Sequence, residues 1–321
     1  MELQTKIPLE KQLEHQIDYT SNVLLIGSCF SDNIGAKLDY YKFQNVQNPF
    51  GVLFHPKAIE TLIHSAVSGR TYLEKDVIFH NEQWHCFDAH SKLSNASKED
   101  LLIQLNRQVQ ITHQQLKTSS HVIITLGTAW AYVFKVFNQH VANCHKIPQK
   151  QFDKVLLSVE DIVMVLNNII DLIQKANPHA AIIFTVSPVR HLKDGFVENT
   201  QSKSHLIAAI HGLLNANKLT ASQSLFYFPS YELLMDELRD YRFYNDDMIH
   251  PNALAINYIW EKFKWVWCSD TSTNTLKKVE TIQKGLKHKP FNANSLANKK
   301  FLKHLNTQIQ ELQIQYPHIV F

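Results

Sequence analysis

Glycine is scarce, with eight copies in 321 residues where ordinary usage would give roughly 22. With only ten prolines as well, collagen-like and linker-rich architectures are excluded. Each glycine then marks a turn, a cap or a close backbone approach. Cysteine is sparse too. Cys29, Cys86, Cys144 and Cys268 lie far apart and form no CxxC pair, so no disulfide framework is expected and a reducing, cytoplasmic setting is. No apolar run approaches the ~18 residues of a membrane span, and MELQTKIPLEKQLEHQIDY lacks the apolar core of a secretory signal. A net charge of +3 and 45% hydrophobic residues exclude a disordered chain. Internal repeats, the GxxxxGK[ST] phosphate loop and the GxSxG elbow are all absent. Histidine is plentiful, with 18 copies, so rarity singles out none of them.

What is present is an alternation of short apolar strands and amphipathic helices, which predicts an α/β fold around a parallel sheet. NVLLIG (Asn22 to Gly27), HVIITLG (His121 to Gly127) and AIIFTVSPV (Ala181 to Val189) are continuous apolar runs of the kind covered on both faces. FQNVQNPFG holds a short strand ending in a turn, and LFYFPSYE reads as a fifth strand. Ile162, Leu166, Ile169 and Ile173 follow the helical period, as do Leu206, Ile210 and Leu213. Between Lys57 and Ser120 the spacing predicts a helix, a hairpin around VIFHNEQWHCF, and a second helix from about Lys98 to Leu116.

The layout expected is a main domain over 1–268, with an insertion at about 57–120, and a basic helical extension over 269–321. From Thr271 onward there are eight lysines and two glutamates. Phe301, Leu305, Ile309 and Leu312 repeat at helical spacing, so these lysines read as the solvated face of a packing helix. No arginine occurs there, which argues against nucleic-acid readout.

Two segments carry chemistry. In LIGSCFSDNIG a strand ends at Gly27 and a helix follows. Ser28 therefore stands at the carboxyl edge of the sheet, beside backbone N–H groups and a positive dipole end suited to an oxyanion. Ser28 or Ser31 is equally fit to be the helix N-cap, and adjacent Cys29 offers a rival thiol. In YNDDMIHPN, Asp247 and His250 are two residues apart. One turn can thus supply a base and the carboxylate that orients its other ring nitrogen.

Together these segments resemble the SGNH (GDSL-like) hydrolase superfamily, with its serine after the first strand and its late Asp-x-x-His. The fuller likeness is to the GSCFA family, whose name echoes Gly27-Ser28-Cys29-Phe30-Ser31. It runs through NPFG (Asn48 to Gly51), WHCFDAHS (Trp84 to Ser91), TLGTAWAY (Thr125 to Tyr132), ANCHK, TVSPVRH, ENTQSK and FPSYELLMDELRDYRFYNDDMIHP, in order from about residue 20 to 255. The resemblance implies a flavodoxin-like three-layer α/β/α SGNH-hydrolase fold with a mainly parallel five-stranded sheet. It also implies an esterase-type serine hydrolase acting on an ester or thioester through an acyl-enzyme.

By the same resemblance Ser28 is the nucleophile, His250 the base and Asp247 its orienter. The Ser28 N–H and Gly51, with Gly127 closing the third strand, belong to the oxyanion hole. The family's usual asparagine would fall at residue 129, which is Ala129. Asn48, Thr128 and Trp130 are the candidates to replace it. A scaffold that binds a ligand without turning it over is the alternative that Ala129 favours. His85, Asp88 and His90 of WHCFDAHS are expected along the pocket. The spacing of His80, His85, Cys86 and His90 does not fit the short zinc pairs, so neither metal nor cofactor is expected. Arg190, His191, Glu198, Asn199 and Lys203 read as a buried polar network bracing a loop. The partner expected is a small ester, with an acylated carbohydrate the class the superfamily suggests. No nucleic-acid or membrane partner is expected, and the oligomeric state is open.

Overall fold

The computed structural model describes residues 4–218 and 224–321. In chain order the elements are β1 (Asn22–Gly27), α1 (Cys29–Tyr40), β2 (Gln44–Gln47), α2 (Pro56–Ser68), β3 (Ile78–His80), β4 (Gln83–His85) and α3 (Lys98–Thr118). There follow β5 (His121–Leu126), β6 (Trp130–Phe134), β7 (Gln139–Val141), β8 (Phe152–Leu156), α4 (Val159–Ala176), β9 (Ala181–Val186), α5 (Phe196–Lys218) and β10 (Leu225–Tyr227). The chain closes with a single turn α6 (Ser230–Glu232), then α7 (Ala253–Trp267), α8 (Ser272–Lys287) and α9 (Leu296–Gln315).

The central sheet runs β2-β1-β5-β9-β10, and each neighbouring pair is parallel. Successive side chains of a strand point to opposite faces, and both faces are apolar here. Leu24, Ile26, Ile124, Leu126, Phe184 and Val186 pack with α2 to α5 in one core. Val23, Leu25, Ile123 and Ile183 pack with α1, α7, α8 and α9 in the other. That double coverage is why the strands read as unbroken apolar runs. The result is a three-layer α/β/α fold of flavodoxin-like strand order with a helical C-terminal region. The two helices foreseen between 57 and 120 are α2 and α3, which supply part of one covering layer.

Strand order reverses between β1 and β5, and open α/β sheets bind ligands at such a point, beyond the carboxyl ends of the strands. The backbone there is tight. Gly27 has φ +140, and a Cβ on it would collide with the Thr125 carbonyl on β5, so only glycine lets β1 end this close to its neighbour. The sequence reading missed a second, antiparallel sheet, β7-β6-β8. Phe87, Phe134, Val141 and Phe152 form its own small core.

Candidate active site

A cavity of about 920 Å³ lies over the carboxyl edge of the parallel sheet. It is bordered by Cys29 after β1, Val52 and Phe54 after β2, Thr128 after β5, Val189 to Asp194 after β9, and Ile249 and His250 after β10. Trp130, Tyr132 and Val141 of the second sheet form a facing wall. A smaller cavity of about 490 Å³ beside α2 and α4, bordered by Glu60, His64 and Asp171, holds none of the residues singled out by sequence.

Asp247 and His250 form a closed unit. Asp247 Oδ1 accepts the backbone N–H groups of Ile249 and His250, both at 2.9 Å, while Oδ2 meets His250 Nδ1 at 2.6 Å. These three bonds, the backbone ones first, hold the Asp247 carboxyl down at about 2. With Nδ1–H given to the carboxylate, Nε2 carries the lone pair of the neutral ring. Both side chains are about half exposed, on a turn closed by the Asn245 N–H to His250 O bond.

Ser28 sits differently. It is fully buried and caps α1, its Oγ accepting the Phe30 N–H at 3.3 Å while its own N–H is bonded to Thr125 O. It therefore does not border the cavity and makes no hydrogen bond with His250, whereas its neighbour Cys29 borders the same cavity as His250. The Cys29 thiol is raised by burial and by Asp32, with Lys203 pulling the other way. It is thus not a ready thiolate. Of the two N-cap serines foreseen, Ser28 is the cap, and Ser31 Oγ bonds Thr125 Oγ1.

Several oxyanion candidates are engaged elsewhere. The Gly51 N–H bonds Asn48 O in a turn where Gly51 has φ +72. The N–H groups of Gly127 and Thr128 both bond Phe54 O. Asn48 cannot replace the missing amide. Its Oδ1 accepts the Gly27 N–H at 2.8 Å and its Nδ2 donates to Asp32, so it bolts β1 to the following helix. Thr128 Oγ1 pairs with Ser202 and accepts the Trp130 N–H, and Trp130 Nε1 donates to Glu198 O. Ala129 is fully buried and belongs to the core that includes α4 and α5, and its N–H bonds Ser202 Oγ. Cys29 and Val52 border the cavity, and among the described residues neither N–H bonds a backbone carbonyl outside a helix or strand.

The histidines separate. His90 borders the cavity, its Nδ1 accepting the Lys92 N–H. His85 does not, contrary to expectation. Its ring is bonded at both nitrogens, to Ser94 Oγ and His80 O, and stacks on His145 at 4.6 Å. Asp88 is likewise a brace, held by Arg70, Tyr72 and Gln139. Among the described residues, no group of three or more His, Cys, Asp or Glu side chains is arranged to hold a metal ion.

The network after β9 is split. Asn199 and Lys203 are buried, Asn199 Oδ1 accepting the His191 N–H, but Arg190 and His191 border the cavity. Lys203 is almost inaccessible at 1% exposure. Its Nζ donates to Gly127 O at 2.6 Å and Ser187 O at 2.7 Å, and burial lowers it to about 7. His191 Nε2 is buried without a partner, and burial, then Lys203, lowers the ring to about 3.

Among solved structures, similar chains include an acetyl esterase mutant with acetate ion, at 9% identity over 82% of this chain and 99% of that one, with TM-score 0.34. Another is an acetyl xylan esterase from the rumen bacterium Butyrivibrio proteoclasticus, at 11% identity over 78% and 66%, with TM-score 0.36. No curated protein matches the chain by sequence. Residues 279–321 match the model described as GSCFA domain protein, C-terminal domain. Residues 22–263 match the model of the GSCFA family, and with that span the chain belongs to the GSCFA family.

Proposed function

We propose that this protein hydrolyses an acyl ester or thioester through an acyl-enzyme, with Ser28 as nucleophile, His250 as general base and Asp247 as its orienter. The observation that carries the reading is the Asp247–His250 unit, which holds Nδ1 on the carboxylate and leaves Nε2 for a reacting group on the border of a cavity at the sheet's switch point. In this scheme Ser28 Oγ attacks the carbonyl and His250 Nε2 takes its proton. The same nitrogen then protonates the leaving group and later activates water. For this the Ser28 hydroxyl must turn away from the Phe30 N–H and the His250 turn must close over it, a tightening that substrate-free sites commonly require. The Cys29 and Val52 N–H groups are the donors offered to the oxyanion.

The position of half-buried Cys29 on the border of the cavity favours one second reading, a thiol nucleophile. Separate Ser28→Ala and Cys29→Ala variants decide between them with a short p-nitrophenyl ester. Turnover falls to background in Ser28→Ala and persists in Cys29→Ala, and a fluorophosphonate probe labels the protein only when Ser28 is present. Unchanged turnover in Ser28→Ala would end the serine mechanism.

A further inference from the structure

The cavity wall carries more cation than its own acids neutralise. Asp32 lies 3.6 Å from Lys92 and also accepts from Asn48. Asp194 is taken by Lys154 at 2.6 Å. Arg190 and Lys193 border the cavity with no carboxylate within ion-pair reach among the described residues. Arg190 is the better placed of the two. It is half-buried, its guanidinium lies 5.2 Å from the centre of the Tyr244 ring, and among the described residues Nη2 reaches only the Met235 sulfur, at 3.5 Å. A planar fork of donors held against aromatic and thioether surface, with no acid to bind, is built to receive one. Its half-buried position screens an ion pair less than bulk water would, which strengthens attraction to an anion.

We propose that the substrate carries an anionic group, a carboxylate or a phosphate, that seats on Arg190 while its ester lies toward His250. This rests on the esterase reading of the same cavity. Tyr244, which packs on Arg190, also bridges to Pro251 at the end of the His250 turn. Anion binding at Arg190 therefore acts on the segment that carries the base.

The test uses the full chain and three amides that an esterase leaves intact: N-methylsuccinamate, 2-acetamidoethyl phosphate and neutral N,N′-dimethylsuccinamide. Calorimetry at low ionic strength is expected to show at least one anionic amide binding about 10-fold or more tightly than the neutral one. Which anion binds better identifies carboxylate or phosphate. Arg190→Met abolishes the preference, Arg190→Gln does the same if the methionine variant fails to fold, and Lys193→Met retains it. Equal affinities, no binding of either anion, or a preference that survives loss of Arg190 overturns the proposal. Ester turnover with no anion preference removes this inference and leaves the esterase reading standing. Anion binding through Arg190 without turnover of any ester does the reverse.

Discussion

Replacing Lys203 by methionine removes a buried amine that has no carboxylate partner among the described residues. Burial lowers its pKa from 10.5 to about 7 in the folded chain. Between those values the unfolded chain binds a proton that the folded one does not. Stability must therefore rise with pH across the window, and below about pH 7 the penalty of the buried charge is fully present. A shift of this size corresponds to roughly 5 kcal/mol in total. Integrated from about pH 7 to about pH 8.5, it amounts to about 2 kcal/mol of added stability. The methionine variant loses that pH dependence but also loses the bonds to Gly127 O and Ser187 O, each worth about 1.5–3 kcal/mol when the donor is charged. The two changes oppose each other at neutral pH, so the slope is the decisive quantity. Urea unfolding of both proteins across the window measures it, and their difference cancels the groups they share. Parallel curves, or a wild-type curve that is flat, would refute the assignment of a buried ammonium.

Two further outcomes follow from the described geometry. Asp247→Asn leaves the thermal midpoint nearly unchanged, because the pair is half exposed, but lowers kcat for an ester by about 100-fold or more as the imidazole loses its orienter. A parallel fall in both would assign Asp247 to the fold instead. In acid, burial holds His55 and His145 at about 4 and His191 at about 3. Their folded values lie below the unfolded 6.5, so stability is intact above about pH 6.5 and drains as pH falls toward 4, by about 2 kcal/mol per ring at about pH 5. Denaturant midpoints at neutral pH and in acid check this, and an unchanged midpoint would mean these rings are not held neutral.

Much of the scaffold was legible in the chain because its signals are local. The runs ending at Gly27, Gly127 and Val186 are apolar on both faces apart from Asn22, His121, Thr125 and Thr185, since both faces are covered, and length and composition then give strands. The Asp247–His250 unit was legible for the same reason, being a contact within one turn. β6 to β8 were not. Trp130 to Phe134 alternate only partly in burial and Phe152 to Leu156 are mostly exposed, so the motif TLGTAWAY masked a strand. The oxyanion donors were misjudged on different physical grounds. A sequence displays donors but not their acceptors: Gly51 and Gly127 bond carbonyls of a turn and a neighbouring loop, Asn48 meets β1 and α1, and Thr128 meets α5. Lys203 reads from the chain as part of a buried polar network and is buried. Its acceptors, the strand-end carbonyls of Gly127 and Ser187, were hidden because they come from the ends of β5 and β9 rather than from its own helix.

The facing wall of the cavity has a consequence for how such a protein can change. Ser28 and the Asp247–His250 turn, the proposed reacting groups, follow strands of the parallel sheet, whereas Trp130, Tyr132 and Val141 belong to a separate antiparallel sheet, next to its own small core. On the proposed reading, substitutions in that wall reshape what the cavity admits while the strand ends beneath Ser28 and His250 stay in place. What the cavity admits and the chemistry proposed for it would then be carried by two modules, and one can drift through generations of mutation while the other stays fixed.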